Sequence, residues 1–100
     1  MESFSFQYPA GKSVLQRAHT GVVGSGDMEI LIEPGSNQQT EFRVRTASDG
    51  FQDTWKAVFD RFIAANPIDA LIIINDFGAT PGVVSLRLAQ ALEIANQKNN

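Results

Sequence analysis

The chain has no cysteine, which excludes a disulfide framework and a thiolate metal site together. Histidine occurs once, as His19, and metal binding needs several convergent ligands. Basic charge is also scarce: 8 Lys and Arg against 11 Asp and Glu, for a net charge of −3. The basic residues are scattered, so little would be gained from counterion release, and nucleic acid is excluded as a partner. The longest unbroken apolar run, Ala70-Leu71-Ile72-Ile73-Ile74, falls far short of the roughly 20 residues a spanning helix needs. Met1-Glu2-Ser3-Phe4-Ser5-Phe6 lacks the basic and apolar regions of a secretory signal, so the expectation is a cytoplasmic protein without direct membrane insertion. What is present looks globular. Hydrophobic residues make up 43% and charged residues 19% of 100 positions, which suits one domain over residues 1–100 with one modest core.

The first half reads as β-structure. Phe4, Phe6 and Tyr8 alternate with Ser5 and Gln7, the period of a strand with one buried face, and Pro9 to Ser13 breaks that pattern. Arg17–Val23 and Met28–Glu33 both read as extended, with a β-hairpin turn between them. Pro34-Gly35-Ser36-Asn37 is a strong turn signal, after which Glu41–Thr46 resumes the alternation with Phe42 and Val44 inward. The second half reads helix, strand, helix. Asp49 and Gln52 resemble a capping box, and Phe51, Trp55, Val58, Phe59, Phe62 and Ile63 fall on one helical face. Asn66-Pro67 ends that helix. Leu71–Ile74 reads as a central strand covered on both faces or nearly so. Thr80 then caps a helix opened by Pro81, with Val84, Leu88, Ala91, Leu92 and Ala95 as its buried stripe. The expected fold is α+β, a mostly antiparallel sheet with two helices packed on one face, and not a four-helix bundle.

The most informative stretch is Gly24-Ser25-Gly26-Asp27, set where the hairpin turns. The two glycines allow the positive φ that tight turns need and leave the Ser25 hydroxyl without bulky neighbours. A turn built of small residues gives the same pattern with no further role, and Asp27 suits an Asx-type turn bonding nearby backbone. As a nucleophile Ser25 is poor: no Gly-x-Ser-x-Gly elbow surrounds it, and no base stands beside it with conviction. Gly24-Ser25-Gly26 is too short for a phosphate-cradling loop. A serine that another enzyme modifies needs no base of its own. With no thiol, the chain can carry a thioester only on something attached to it. A second distinctive segment is Asn75-Asp76-Phe77-Gly78-Ala79-Thr80-Pro81-Gly82, which a strand-to-helix connection explains in most part. Its richness beyond a minimal loop suits contact with the hairpin or a partner.

Gly21 to Leu31, with Ser25 at its centre, resembles the attachment segment of the acyl carrier (delta) subunits of malonate decarboxylase. Ile74 to Val84, followed by Leu86 to Glu93, is similar to the closing loop and helix of the same family. Phe6 to Gly11 and Asp49-Gly50-Phe51 also fit, so the resemblance spans nearly the whole chain. The gamma chain of citrate lyase is a more distant likeness, with a similar serine followed two residues later by aspartate. The resemblance implies that Ser25, flanked by Gly24, Gly26 and Asp27, is covalently joined through a phosphodiester to 2′-(5″-phosphoribosyl)-3′-dephospho-CoA. It implies a non-catalytic carrier whose arm holds acetyl and malonyl as thioesters. Its partners would be an acyl-transferase (alpha) subunit, decarboxylase (beta and gamma) subunits, a prosthetic-group transferase and a malonyl transferase. Three rivals stand beside this reading: a citrate-lyase-type carrier, an unmodified adaptor, and a small hydrolase using Ser25 and His19.

Overall fold

The computed structural model describes residues 1–20 and 28–97. Strand β1 (Glu2–Pro9) pairs antiparallel with β5 (Gln39–Thr46), setting Phe4 opposite Val44 and Phe6 opposite Phe42. Helix α1 (Gln52–Ala65) then carries the chain back, so β6 (Ile68–Asp76) lies parallel to β5. On the far side of β6 comes β4 (Met28–Pro34), and then β3 (Ala18–Thr20), both pairings antiparallel. The order is β1-β5-β6-β4-β3, with the two-residue β2 (Lys12–Ser13) running parallel along the start of β6. Helix α2 (Pro81–Ala95) packs across β3 and β4 and against α1.

The α+β expectation is met, with one refinement. The sheet is mixed because the central β5–β6 pair is parallel, as a strand–helix–strand connection requires. The segment read as a plain break after Pro9 also contributes β2, which pairs with Ile68 and Asp69.

Register puts Phe4, Phe6, Phe42, Val44, Ile72, Ile74, Ile30, Ile32 and Ala18 on one face of the sheet. Both helices cover that face. Phe59 of α1 stacks on Phe42, ring centroids 3.9 Å apart and planes 10° apart, and Phe6 meets the same ring edge-on. Leu88 and Ala91 of α2 are fully buried alongside. At the sheet edge the Tyr8 hydroxyl donates to Asp60 of α1, 2.7 Å away. Burial, and then this bond to a carboxylate, raise the Tyr8 pKa.

Two expectations are corrected here. The β6 run is covered on one face only: Ile72 and Ile74 are buried, whereas Leu71 and Ile73 are half-buried on the face without helices. Their neighbours there are Glu41, Arg43, Arg45, Glu29 and Glu33, which keep that face polar. The first helix also lacks the expected capping box. Phe51 occupies the cap position with no side-chain bond to the first turn, while Asp49 pairs with the Met1 amino group instead. Gly50, at φ +84°, turns the chain into the helix. Phe51 is accordingly 54% exposed and lies outside the apolar stripe formed by Trp55, Val58 and Phe59. The second helix follows expectation: Thr80 Oγ1 accepts from the Val83 N–H, and Pro81 sits in the first turn.

Candidate functional site

The two arms expected of the hairpin pair antiparallel, Ala18 with Ile32, His19 with Leu31 and Thr20 with Ile30. Between Thr20 and Met28 run residues 21–27, which include Gly24, Ser25, Gly26 and Asp27 and lie outside the described residues. The arms fix where that segment is rooted. Met28 stands opposite Asp76, the last residue of β6, whose other neighbour is Thr46, the last residue of β5. Three peptide units separate Ser25 from Met28, a span of at most about 11 Å. Met28, where the described chain resumes, thus stands at the end of the sheet where β5 and β6 finish.

Asp76 organises that end. It is 5% exposed, and one carboxylate oxygen accepts from the Gly78 N–H at 3.2 Å and the Ala79 N–H at 2.8 Å. The other accepts from the Thr46 hydroxyl at 2.8 Å. A buried carboxylate with three donors is a structural acceptor, since leaving those donors unpaired is costly. Gly78 takes φ +131°, which a side chain would strain. The chain then reaches Thr80 and starts α2. The distinctive 75–82 segment is thus a strand-to-helix connection in which Asp76 binds the turn.

Asn75 points to the opposite face. Its amide donates to Glu29 Oε1 at 2.8 Å, and the other Glu29 oxygen lies 3.2 Å from His19 Nε2. The contact to His19, then the bond from Asn75, hold the Glu29 carboxyl below its ordinary pKa. His19 is exposed and engaged by this carboxylate. Among the described residues no group of three or more His, Asp or Glu side chains could hold a metal ion.

Beside Asp76 a pocket of about 310 Å³ opens between the first turns of the two helices. Phe51, Trp55 and Val58 of the α1 side face Ala79, Pro81 and Val84 of the α2 side. Thr46, Ser48 and Thr54 add hydroxyls, and no lysine or arginine lines it. Sequence reading missed this pocket. Its one local signal was Phe51, an aromatic placed before its helix began.

The fold is a two-layer α+β domain, a mixed sheet with two helices packed on one face. Residues 15–95 match the family described as malonate decarboxylase delta subunit (MdcD). The chain is 50% identical over 94 residues to the malonate decarboxylase acyl carrier proteins of Azotobacter vinelandii and of Pseudomonas savastanoi, covering 93% of this chain and 95% of each relative. A chain in the crystal structure of a Pseudomonas malonate decarboxylase hetero-tetramer in complex with malonate superposes with a TM-score of 0.88 at 46% identity, covering 95% of this chain and 99% of that one. The protein belongs to the malonate decarboxylase delta-subunit family, as the residues around Ser25 and in the closing loop and helix implied.

Proposed function

We propose that this chain is the acyl carrier subunit of a malonate decarboxylase, with the prosthetic arm on Ser25. The observation that carries the reading is agreement across nearly the whole chain with relatives named malonate decarboxylase acyl carrier proteins. The structural neighbour comes from a hetero-tetramer, which supports a chain that works among other subunits. No helix of the described residues is long and apolar enough to cross a membrane, in keeping with work in the cytoplasm.

The group expected on Ser25 is 2′-(5″-phosphoribosyl)-3′-dephospho-CoA. Ser25 supplies a hydroxyl for a phosphodiester, and the surrounding glycines give a transferase room to reach it. When bound, the group supplies a thiol that carries acetyl and malonyl as thioesters, a function this cysteine-free chain lacks. The chain contributes tethering. Attachment makes each visit to a partner active site intramolecular, with an effective concentration in the millimolar range for a short flexible link. Exchange of acetyl for malonyl and loss of CO₂ fall to the acyl-transferase and decarboxylase subunits. Oxyanion donors for those steps belong to them.

A Ser25–His19 hydrolase is disfavoured by the relatives, which are named acyl carrier proteins. The matched family also favours the malonate system over a citrate-lyase-type carrier or an unmodified adaptor. Intact mass spectrometry tests the reading. Chain co-expressed with its modifying enzymes gains the mass of the prosthetic group, Ser25→Ala does not, and chain made without them is folded and bare. Protein from the native host that is bare at Ser25 while the assembled enzyme still consumes malonate would overturn it.

A further inference from the structure

The pocket between the helix N-termini has no part in the carrier role as described so far, and nothing in the fold requires it. Its lining narrows what it can hold. At about 310 Å³ it is at the small end of ligand pockets. Without a lysine or arginine in its wall it offers no cationic side chain to balance a phosphate. The Asp76 oxygens that border it are already bonded by two backbone N–H groups and a hydroxyl. What remains is an apolar slot between Trp55, Val58 and Val84, with the Ser48 and Thr54 hydroxyls near its wall. That combination suits a short, neutral, amide-containing chain.

We propose that this pocket docks the thiol or acetyl-thioester end of the arm carried by the same chain. The proposal rests on the carrier reading above. Asp76 is at once the wall of the pocket and the strand partner of Met28. Ser25 is bound to Met28 by three peptide units, spanning at most about 11 Å. Of the parts of the arm, the phosphates, sugar and adenine are too polar or too large for the slot, while the cysteamine end with hydrogen or acetyl on sulfur is neutral and narrow. Its amide can meet one of the two hydroxyls, and its methylene carbons can lie against Trp55 and Val58. Docking withdraws the thioester from water between visits to partner sites, and a partner surface that binds the tip more strongly draws it out.

The test uses full-length chain loaded with the arm, with loading verified by intact mass. Amides of Phe51, Val58, Ala79 and Val84 and the Trp55 indole N–H should shift in ¹H–¹⁵N spectra of the loaded form relative to the bare form. Thr54→Trp fills the slot from an exposed position on α1, and Ala79→Phe fills it from the opposite wall. In either variant, once a melting curve shows it folded, the arm's thiol should react with Ellman's reagent about tenfold faster than in the parent, as expected if the parent's arm is exposed about one-tenth of the time. A loaded chain with unshifted pocket amides, or thiol rates equal in parent and both folded variants, overturns the docking while leaving the carrier reading intact. Absence of the arm's mass on Ser25 in chain from its native host overturns both.

Discussion

The two ends of β6 each carry a buried aspartate, and they are built differently. At the start, Asp69 accepts from the Gln38 N–H at 3.0 Å and the Gln39 N–H at 3.4 Å, while its backbone carbonyl accepts from Gly35. The turn is packed so closely that a Cβ on Gly35 would lie 2.0 Å from an Asp69 oxygen. At the finish, Asp76 binds an equally firm turn, yet a Cβ on Gly78 would meet nothing within 4 Å. The same device binds a close-packed turn at one end and a turn with space around its glycine at the other. The open end is where the helices begin, where the pocket lies and where the Ser25 segment is rooted. A carboxylate holds the frame at both ends, but the hollow beside Asp69 is lined by Glu33, Glu41 and Arg43, whereas the one beside Asp76 is lined by Trp55, Val58 and Val84.

That contrast can be broken or sharpened by substitution. The largest effect is expected for Asp76→Ala, which leaves two backbone N–H groups and the Thr46 hydroxyl without their acceptor. A loss of about 3 kcal/mol in urea denaturation is expected, and a loss below about 1 kcal/mol would show that the open end does not depend on this side chain. Gly35→Ala forces an overlap with Asp69 and should cost about 2–3 kcal/mol. Gly78→Ala meets no neighbour and suffers only backbone strain, so its cost should be smaller, about 1–2 kcal/mol. If the order of the two glycine variants is reversed, the distinction between a packed and an open end fails. Thr80→Ala removes the cap of α2 at the pocket rim and should cost about 1 kcal/mol by the same measurement.

The smallest effect concerns pH. Glu29 titrates below its ordinary value of 4.5 in the folded chain, so the folded state binds this proton less readily than the unfolded state. Its contribution is present above about pH 4.5 and disappears as pH falls through the lowered folded value. Comparing parent with Glu29→Gln at pH 7 and at pH 3.5 should show this dependence shrink by under about 1 kcal/mol in the variant. An unchanged acid dependence would remove Glu29 from the account of the polar face.

Local pattern made much of this legible. The alternation of Phe4, Phe6 and Tyr8 marks β1, and Thr80-Pro81 marks the start of α2, because each signal is complete within a few residues. The Asp49–Gln52 pattern misled for a tertiary reason: the chain's own amino group reaches Asp49, and Glu2 accepts the Gly50 N–H, so the helix begins later than a cap would place it. The aliphatic run of β6 correctly marks a central strand, yet a run of Leu and Ile reads the same with one face covered or two. Asp69 passed unnoticed because its role depends on a turn 31 residues away.

By itself the sequence determined the strand and helix periods, the α+β class and the family likeness, all of them properties of neighbouring residues. Only the tertiary structure decided that β5 and β6 run parallel at the centre, that β4 lies between β6 and β3, and that two aspartates bind the turns. It also decided that a pocket stands beside the root of the Ser25 segment. The physical reason is that a strand's period fixes which face is apolar but not which strand it meets. Pairing, burial of a lone carboxylate and the space left between two helices arise when distant segments come together.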